Sequence, residues 1–288
     1  MNAQKTRYQD IEPQSYLENI GKADDDEIDI AHAALALAAV DMEGISLQRY
    51  QHHLDTLASS VKGAFTHRLD KGDDDSLETR LAALTEVLHE EFGYIGDQQT
   101  YDDLQNANLI RVIDRAKGLP ITLSILYIHA ARAQGWEISG LNIPGHFLCR
   151  LDLDGQRLIF DPFDAARVVE AHDLRRIVKK ALGDQAELSS AYYEAASNRD
   201  ILIRLQNNIK FRQIAGEDYD SALKTVLLMM KIDPEEYRLK LDAGVLYARV
   251  EQPQAAIECL SAYIEKAPDP RDRMEAEMLL IELQAQLH

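Results

Sequence analysis

His146 and Asp161 are the residues of this chain whose types and spacing point most directly to chemistry. They lie in IPGHFLCRLDLDGQRLIFDPF, residues 143–163, which reads as a β-hairpin turning at Asp154-Gly155. Asp-Gly between alternating residues is a strong signal for a two-residue type I′ loop. Such a turn sets Leu153 opposite Gln156, Leu151 opposite Leu158 and Cys149 opposite Phe160. One face then carries Phe147, Cys149, Leu151, Leu153, Leu158 and Phe160. The other carries His146, Leu148, Arg150, Asp152, Arg157, Ile159 and Asp161. In this register Asp161 is the diagonal neighbour of His146, and diagonal Cα atoms lie ~7–8 Å apart, within reach of a hydrogen bond. An Asp that orients an imidazole is the base half of a nucleophilic triad. The inference depends on the turn, because a one-residue slip would separate the pair.

The nucleophile that would complete such a triad is missing. Cys149 is three residues from His146 on the same strand, so it points to the apolar face and reads as a buried structural thiol. A catalytic Cys in this layout sits at the start of the helix packed on the hairpin, where the helix N-terminus lowers its pKa. Here that helix begins Gly118-Leu119-Pro120-Ile121-Thr122, and Pro120 suits a first turn without offering a nucleophile. Thr122 and Ser124 are the nearest hydroxyls. Thr122 is expected to bond locally in the first turn, and Ser124 to face a neighbouring element.

Further out, helical spacing of Leu47, Tyr50, Leu54, Leu57 and Val61 predicts a helix before His67. Gly72-Asp73-Asp74-Asp75-Ser76 caps another from Leu77 to Glu91, which ends at the glycine of Phe92-Gly93. Residues 1–26 read as a flexible acidic arm whose Asp24–Glu27 run favours the N-terminus of the next helix. Beyond the hairpin a repeat emerges. Ala222 and Ala256 are 34 residues apart, as are Pro234 and Pro268, each proline closing a helix of similar length. A 34-residue period with helix–turn–helix content is the signature of tetratricopeptide repeats. Gly244 and Tyr247 fall at the small and aromatic positions, whereas Lys240 and Lys210 depart from the pattern. Arg271–Leu287 reads as a capping helix.

The segment Tyr101–Phe163 resembles the transglutaminase-like core of bacterial SirB-type proteins, described as invasion-gene regulators with transglutaminase-like and tetratricopeptide domains. The resemblance rests on FGYIGD (92–97), Asn106 within YDDLQNANLIRVIDRAKG, GLPITLSILYIHAARAQGW (118–136), IPGHFL (143–148), FDPF (160–163) and the order of the repeat tail. It implies an α+β, mostly helical fold: a papain/transglutaminase-like core of helices on a small antiparallel sheet, with a C-terminal α-helical tail. The expected divisions are an arm over 1–26, a transglutaminase-like domain over 27–185 and a repeat tail over 186–288. By the same resemblance His146 and Asp161 match the triad His and Asp, and Pro120 occupies the Cys position.

Two readings of His146 and Asp161 follow: a working base pair or ligand-recognition pair, or a hydrogen bond that holds hairpin to helix after activity was lost. The missing nucleophile favours the second. Asn106 either contacts a ligand or caps the following helix, and its position before a helical pattern favours the cap. In the tail, Arg204, Asn207, Phe211, Arg238 and Arg249 fall at groove-lining positions, where they would hold an acidic peptide or C-terminal carboxylate. The competing reading pairs these arginines with the chain's own carboxylates.

Composition narrows the function classes. The chain has 288 residues, 46% of them hydrophobic, and a formal net charge of -18. So acidic a protein gains nothing from counterion release on nucleic acid, and anionic membrane surfaces repel it. There is no signal-peptide core and no apolar run near the ~20 residues of a membrane span, so a cytoplasmic location is expected. With two cysteines and no His-x-x-x-His or Cys-x-x-Cys spacing, no metal or other cofactor is expected. The reading that combines these features is a non-catalytic protein-interaction or regulatory protein. Its rival is a hydrolase or acyltransferase in which His146 and Asp161 activate water or Thr122.

Overall fold

The computed structural model describes residues 12–40, 42 and 44–286. Two compact units divide the chain between Ile201 and Leu202, and Leu17–Ala23 belongs to the second. The sequence-based boundary at 185/186 falls within the first unit.

The expected arm is only partly within the described residues, and there it differs from the expectation. Pro13–Ile20 forms helix α1 with Leu17 and Ile20 buried. Two apolar residues in a polar stretch are a weak periodic signal, but Glu18 pairs with Lys231 at 3.0 Å and ties the segment to the second unit.

The first unit is built around two helices that are apolar on nearly every side. Helix α2 (Ile30–Ala39) is Ala-rich and buried almost throughout, and Asp29 caps it by accepting from the Ala31 and His32 amides. Helix α3 (Gln48–Asp70) buries Tyr50, Leu54, Leu57 and Val61, the stripe its spacing predicts. Helix α4 (Leu77–Thr85) is capped by the Ser76 hydroxyl and runs into a π-helical turn over Glu86–Glu91. Strand β1 (Ile95–Gly96) pairs in parallel with β2 (Lys117–Gly118), on either side of helix α5 (Leu109–Arg115). Helix α6 (Pro120–Arg132) follows and is buried all round apart from His129 and Arg132. A helix with no polar face belongs at the centre of a core.

Helix α6 packs on a four-stranded antiparallel sheet, β3 (Glu137–Ile143), β4 (His146–Leu153), β5 (Gln156–Asp161) and β6 (Arg167–Val168), arranged in sequence order. On the other face of the sheet, Leu141, Ile143 and Leu148 form one cluster with Leu174 and Val178 of helix α7 (Ala171–Leu182). The hairpin face that carries His146 is thus covered at Leu148, which alternation along one hairpin does not reveal.

Helix α8 (Asn198–Ala215) spans the boundary between the units. Its start is capped by Asp25, whose carboxylate accepts from the Asn198 and Arg199 amides at 2.8 and 2.9 Å. The acidic run at 24–27 therefore serves a helix far along the chain, while Asp29 caps the adjacent one. The second unit continues with α9 (Tyr219–Ile232), α10 (Arg238–Arg249), α11 (Pro253–Lys266) and α12 (Pro270–Gln286). Both ends of α9 and α11 are offset by 34 residues, the predicted period. Two clusters hold the repeat together, one around Ala222, Val226, Met229 and Ala243, the other around Ala256, Leu260, Tyr263 and Leu283.

Candidate functional site

The hairpin forms in the register its turn dictates. Asp154 and Gly155 have φ of 50° and 78°, the left-handed pair a type I′ turn needs. Leu153 pairs with Gln156, Asp152 with Arg157, Leu151 with Leu158 and Cys149 with Phe160. This brings His146 Nε2 to 2.7 Å from Asp161 Oδ2. The other carboxylate oxygen accepts the Phe163 amide at 3.0 Å. The imidazole is partly open, with 18% of the His146 side chain exposed against 8% for Asp161.

Aromatic rings fix the imidazole from the side. Phe163 meets His146 edge-to-face at 6.2 Å, and Tyr101 meets Phe163 in the same way at 5.9 Å. Phe163 has room only because residue 96 is glycine: a Cβ there would lie 2.4 Å from the Phe163 carbonyl oxygen and 2.5 Å from its ring. Gly96 in turn pairs with Gly118, two residues before Pro120. This chain of contacts links the His–Asp pair to the start of α6.

At that start every hydroxyl and thiol singled out from the sequence is committed elsewhere. Thr122 is fully buried, and its Oγ1 donates to the carbonyls of Asn106 and Leu119 at 2.9 and 3.0 Å. Ser124 is equally buried and donates to the Pro120 carbonyl at 2.7 Å. Cys149 has no exposed surface, and burial pushes its thiol up to about 12. Pro120 itself stands at the first helical position.

Asn106 is not the helix cap. That role falls to Asn108, whose side chain accepts from the Arg111 amide. Asn106 is fully buried, donates to the Thr100 carbonyl at 2.6 Å and accepts from Arg115 at 3.1 Å. Arg115 also reaches Asp97 at 3.3 Å. Asp97, buried and not singled out by sequence reasoning, accepts from the Thr100 hydroxyl at 2.6 Å and from the amides of Thr100 and Gln99. Its own amide donates to the Gly118 carbonyl, so this network buttresses the loop entering α6. The readable signal was an Asp followed three residues later by Thr, a local turn pattern.

The Asp97 network sets an acid dependence. Hydrogen bonds from the Thr100 side chain and amide, working against burial, lower the Asp97 carboxyl to about 2. An unfolded Asp titrates near ~3.9. The folded pKa is the lower one, so the stabilisation is complete above about pH 4 and is lost as pH falls towards about 2. Asp97→Asn, which cannot ionise, is expected to flatten the stability curve across that window. Urea midpoints followed by the fluorescence of Trp136, the only tryptophan, test this; curves that stay parallel to wild type would refute it.

In the second unit a groove of about 400 Å³ opens among α8, α9, α10 and α12. Its walls include Lys210, Tyr219, Asp242, Val245, Arg249 and Glu275. Of the five residues assigned to the groove by repeat position, Arg249 lines it. Arg204, Asn207, Phe211 and Arg238 are not among its lining residues. Phe211 is 61% exposed, and Arg238 pairs with Glu236. The basic character expected of the groove is tempered by acids, since Lys210 is held by Asp242 at 2.6 Å. Among the described residues no cluster of three potential metal ligands occurs, and no helix is long and apolar enough to cross a membrane.

Comparison with known proteins agrees with this architecture. The family model of the transglutaminase-like superfamily matches residues 48–207, and that of the tetratricopeptide repeat matches residues 209–281. A protein of Xylella fastidiosa described as UPF0162 protein is 28% identical over 254 residues, 87% of this chain and 88% of the relative. A UPF0162 protein of Vibrio cholerae is 27% identical over 273 residues, 94% and 97% of the two chains. Protein SirB1 of Salmonella typhimurium is 23% identical over 224 residues, 77% and 80% of the two.

Proposed function

The chain belongs to the transglutaminase-like superfamily, in the SirB-type arrangement with a tetratricopeptide tail, and from that premise we propose that it is a regulatory interaction protein that does not turn over a substrate. The observation that carries this reading is Pro120 at the first position of α6, with Thr122, Ser124 and Cys149 all buried. Tetratricopeptide repeats are protein-interaction modules, and the groove supplies the surface. Val245 and Leu279 offer an apolar wall, and Arg249, set 5.6 Å from the Tyr219 ring, offers a cation for a carboxylate. The partner this fits is a peptide with one apolar anchor and an acidic group beside it.

A second reading, a hydrolase or acyltransferase, is favoured by one observation only, the His146–Asp161 bond of 2.7 Å with an imidazole still partly open. A general base needs a nucleophile within about 3 Å, and water is the one the residues leave.

The test separates the two. Partner capture with the full chain should survive His146→Ala and fall by about tenfold or more with Val245→Asp/Arg249→Glu, provided circular dichroism shows both variants folded. Capture that ignores the groove variant removes the groove from the reading. Ester or amide hydrolysis by the purified chain that disappears in His146→Ala would replace it with the enzyme.

A further inference from the structure

The last helix of the second unit has two apolar faces. Ala276 and Leu283 of α12 turn inward and join the cluster of Ala256, Leu260 and Tyr263. On the outer face Met274, Met278 and Ile281 are 57%, 68% and 66% exposed, and Ala285 is exposed as well. Steps of four, three and four residues put these side chains on one stripe along the helix. A helix face of a repeat array that meets water is ordinarily polar. Here α12 stands in the order where a third helix pair would begin, and no second helix of that pair occurs among the described residues.

Charge identifies what fits the stripe. By helical geometry Glu275 and Glu282 flank it on one side, with Arg271 at the N-terminal end of that side, and Glu277 flanks it on the other, all exposed. A second copy of the chain is a poor occupant: an antiparallel pair of α12 helices sets Glu275 of one beside Glu282 of the other, and like charges facing each other repel. A helix with lysines or arginines beside its apolar positions meets these acids with opposite charge, and flexible methionines adapt to its side chains. We propose that the outer face of α12 docks a basic amphipathic helix of a partner protein, packed as the second helix of a repeat packs on the first.

The probe is a fluorescein-labelled synthetic helix of about 18 residues, with leucines on one face and flanking lysines, titrated against the full chain by anisotropy. A scrambled peptide of the same composition and a helix flanked by glutamates are the controls. The Lys-flanked helix should bind at least about tenfold more tightly than either control. Met278→Glu/Ile281→Glu should weaken it by about tenfold although the variant is more acidic, which separates docking from general charge attraction. Glu275→Lys/Glu282→Lys should shift preference towards the Glu-flanked helix. Equal binding of the scrambled peptide, or full affinity in the Met278→Glu/Ile281→Glu variant, would overturn the proposal. So would sedimentation showing that the chain alone dimerises and that this variant abolishes the dimer, since a second copy would then own the stripe.

Discussion

A Pro120→Cys variant is expected to carry a thiol that ionises below about 7.5, against ~8.5 for a free cysteine. Two effects combine. The new side chain would stand at the first position of α6, where the helix dipole and unpaired amides favour the thiolate. Through Gly118, Gly96 and Phe163 that position is linked to the His146 imidazole, which Asp161 holds by one nitrogen. A thiolate–imidazolium pair forms when the ring's other nitrogen faces the sulfur. The measurement is the iodoacetamide alkylation rate against pH, followed by mass spectrometry in a Cys259→Ala background. Cys149, fully buried, should stay unmodified. Adding His146→Ala should return the midpoint towards the ordinary value. A midpoint that never leaves ~8.5 would mean that helix start and imidazole do not face each other.

The largest loss of stability is expected from Phe160→Ala, about 3–5 kcal/mol. Phe160 has no exposed surface, sits opposite Cys149 on β4 and Val168 on β6, and lies 5.7 Å from the Tyr127 ring of α6. Removing the ring leaves a cavity between sheet and central helix that this close-packed core cannot easily collapse to fill. Trp136 lies in the same unit and is itself buried, so its fluorescence in urea reports this unit alone. A midpoint within about 1 kcal/mol of wild type would show that the site relaxes around the deletion.

The hairpin register that both variants draw on was readable before any coordinate. Asp154-Gly155 admits one favoured turn, a two-residue turn admits one register, and that register alone places Asp161 within reach of His146. The helix signals at Leu47–Val61, at Ser76 and at the 34-residue period were legible for the same reason: local chemistry suffices to make a stripe, a cap or a repeat. What was not legible depended on partners distant in sequence. Asn106 and Asn108 are equally good caps by type, and only the packing of Leu119 and Thr122 against the Asn106 carbonyl separates their roles. Asp25 looked like a local cap and serves Asn198. Positions in a repeat named Arg204 and Arg238 for the groove, whereas its walls are set by how Lys210 and Asp242 meet across two helices.

Pro120 carries one more consequence, for the charge that an acyl transfer would develop. A tetrahedral intermediate needs donors for its oxyanion, and in triad enzymes the backbone N–H of the attacking residue can be one of them. Proline has no such hydrogen. A single residue type therefore leaves the start of α6 without both the attacking atom and one half of an oxyanion hole. The same ring presets φ where the helix begins and so favours folding. At this position the chemistry that would stabilise a transition state and the chemistry that stabilises the ground-state fold make opposite demands, and the residue present meets the second.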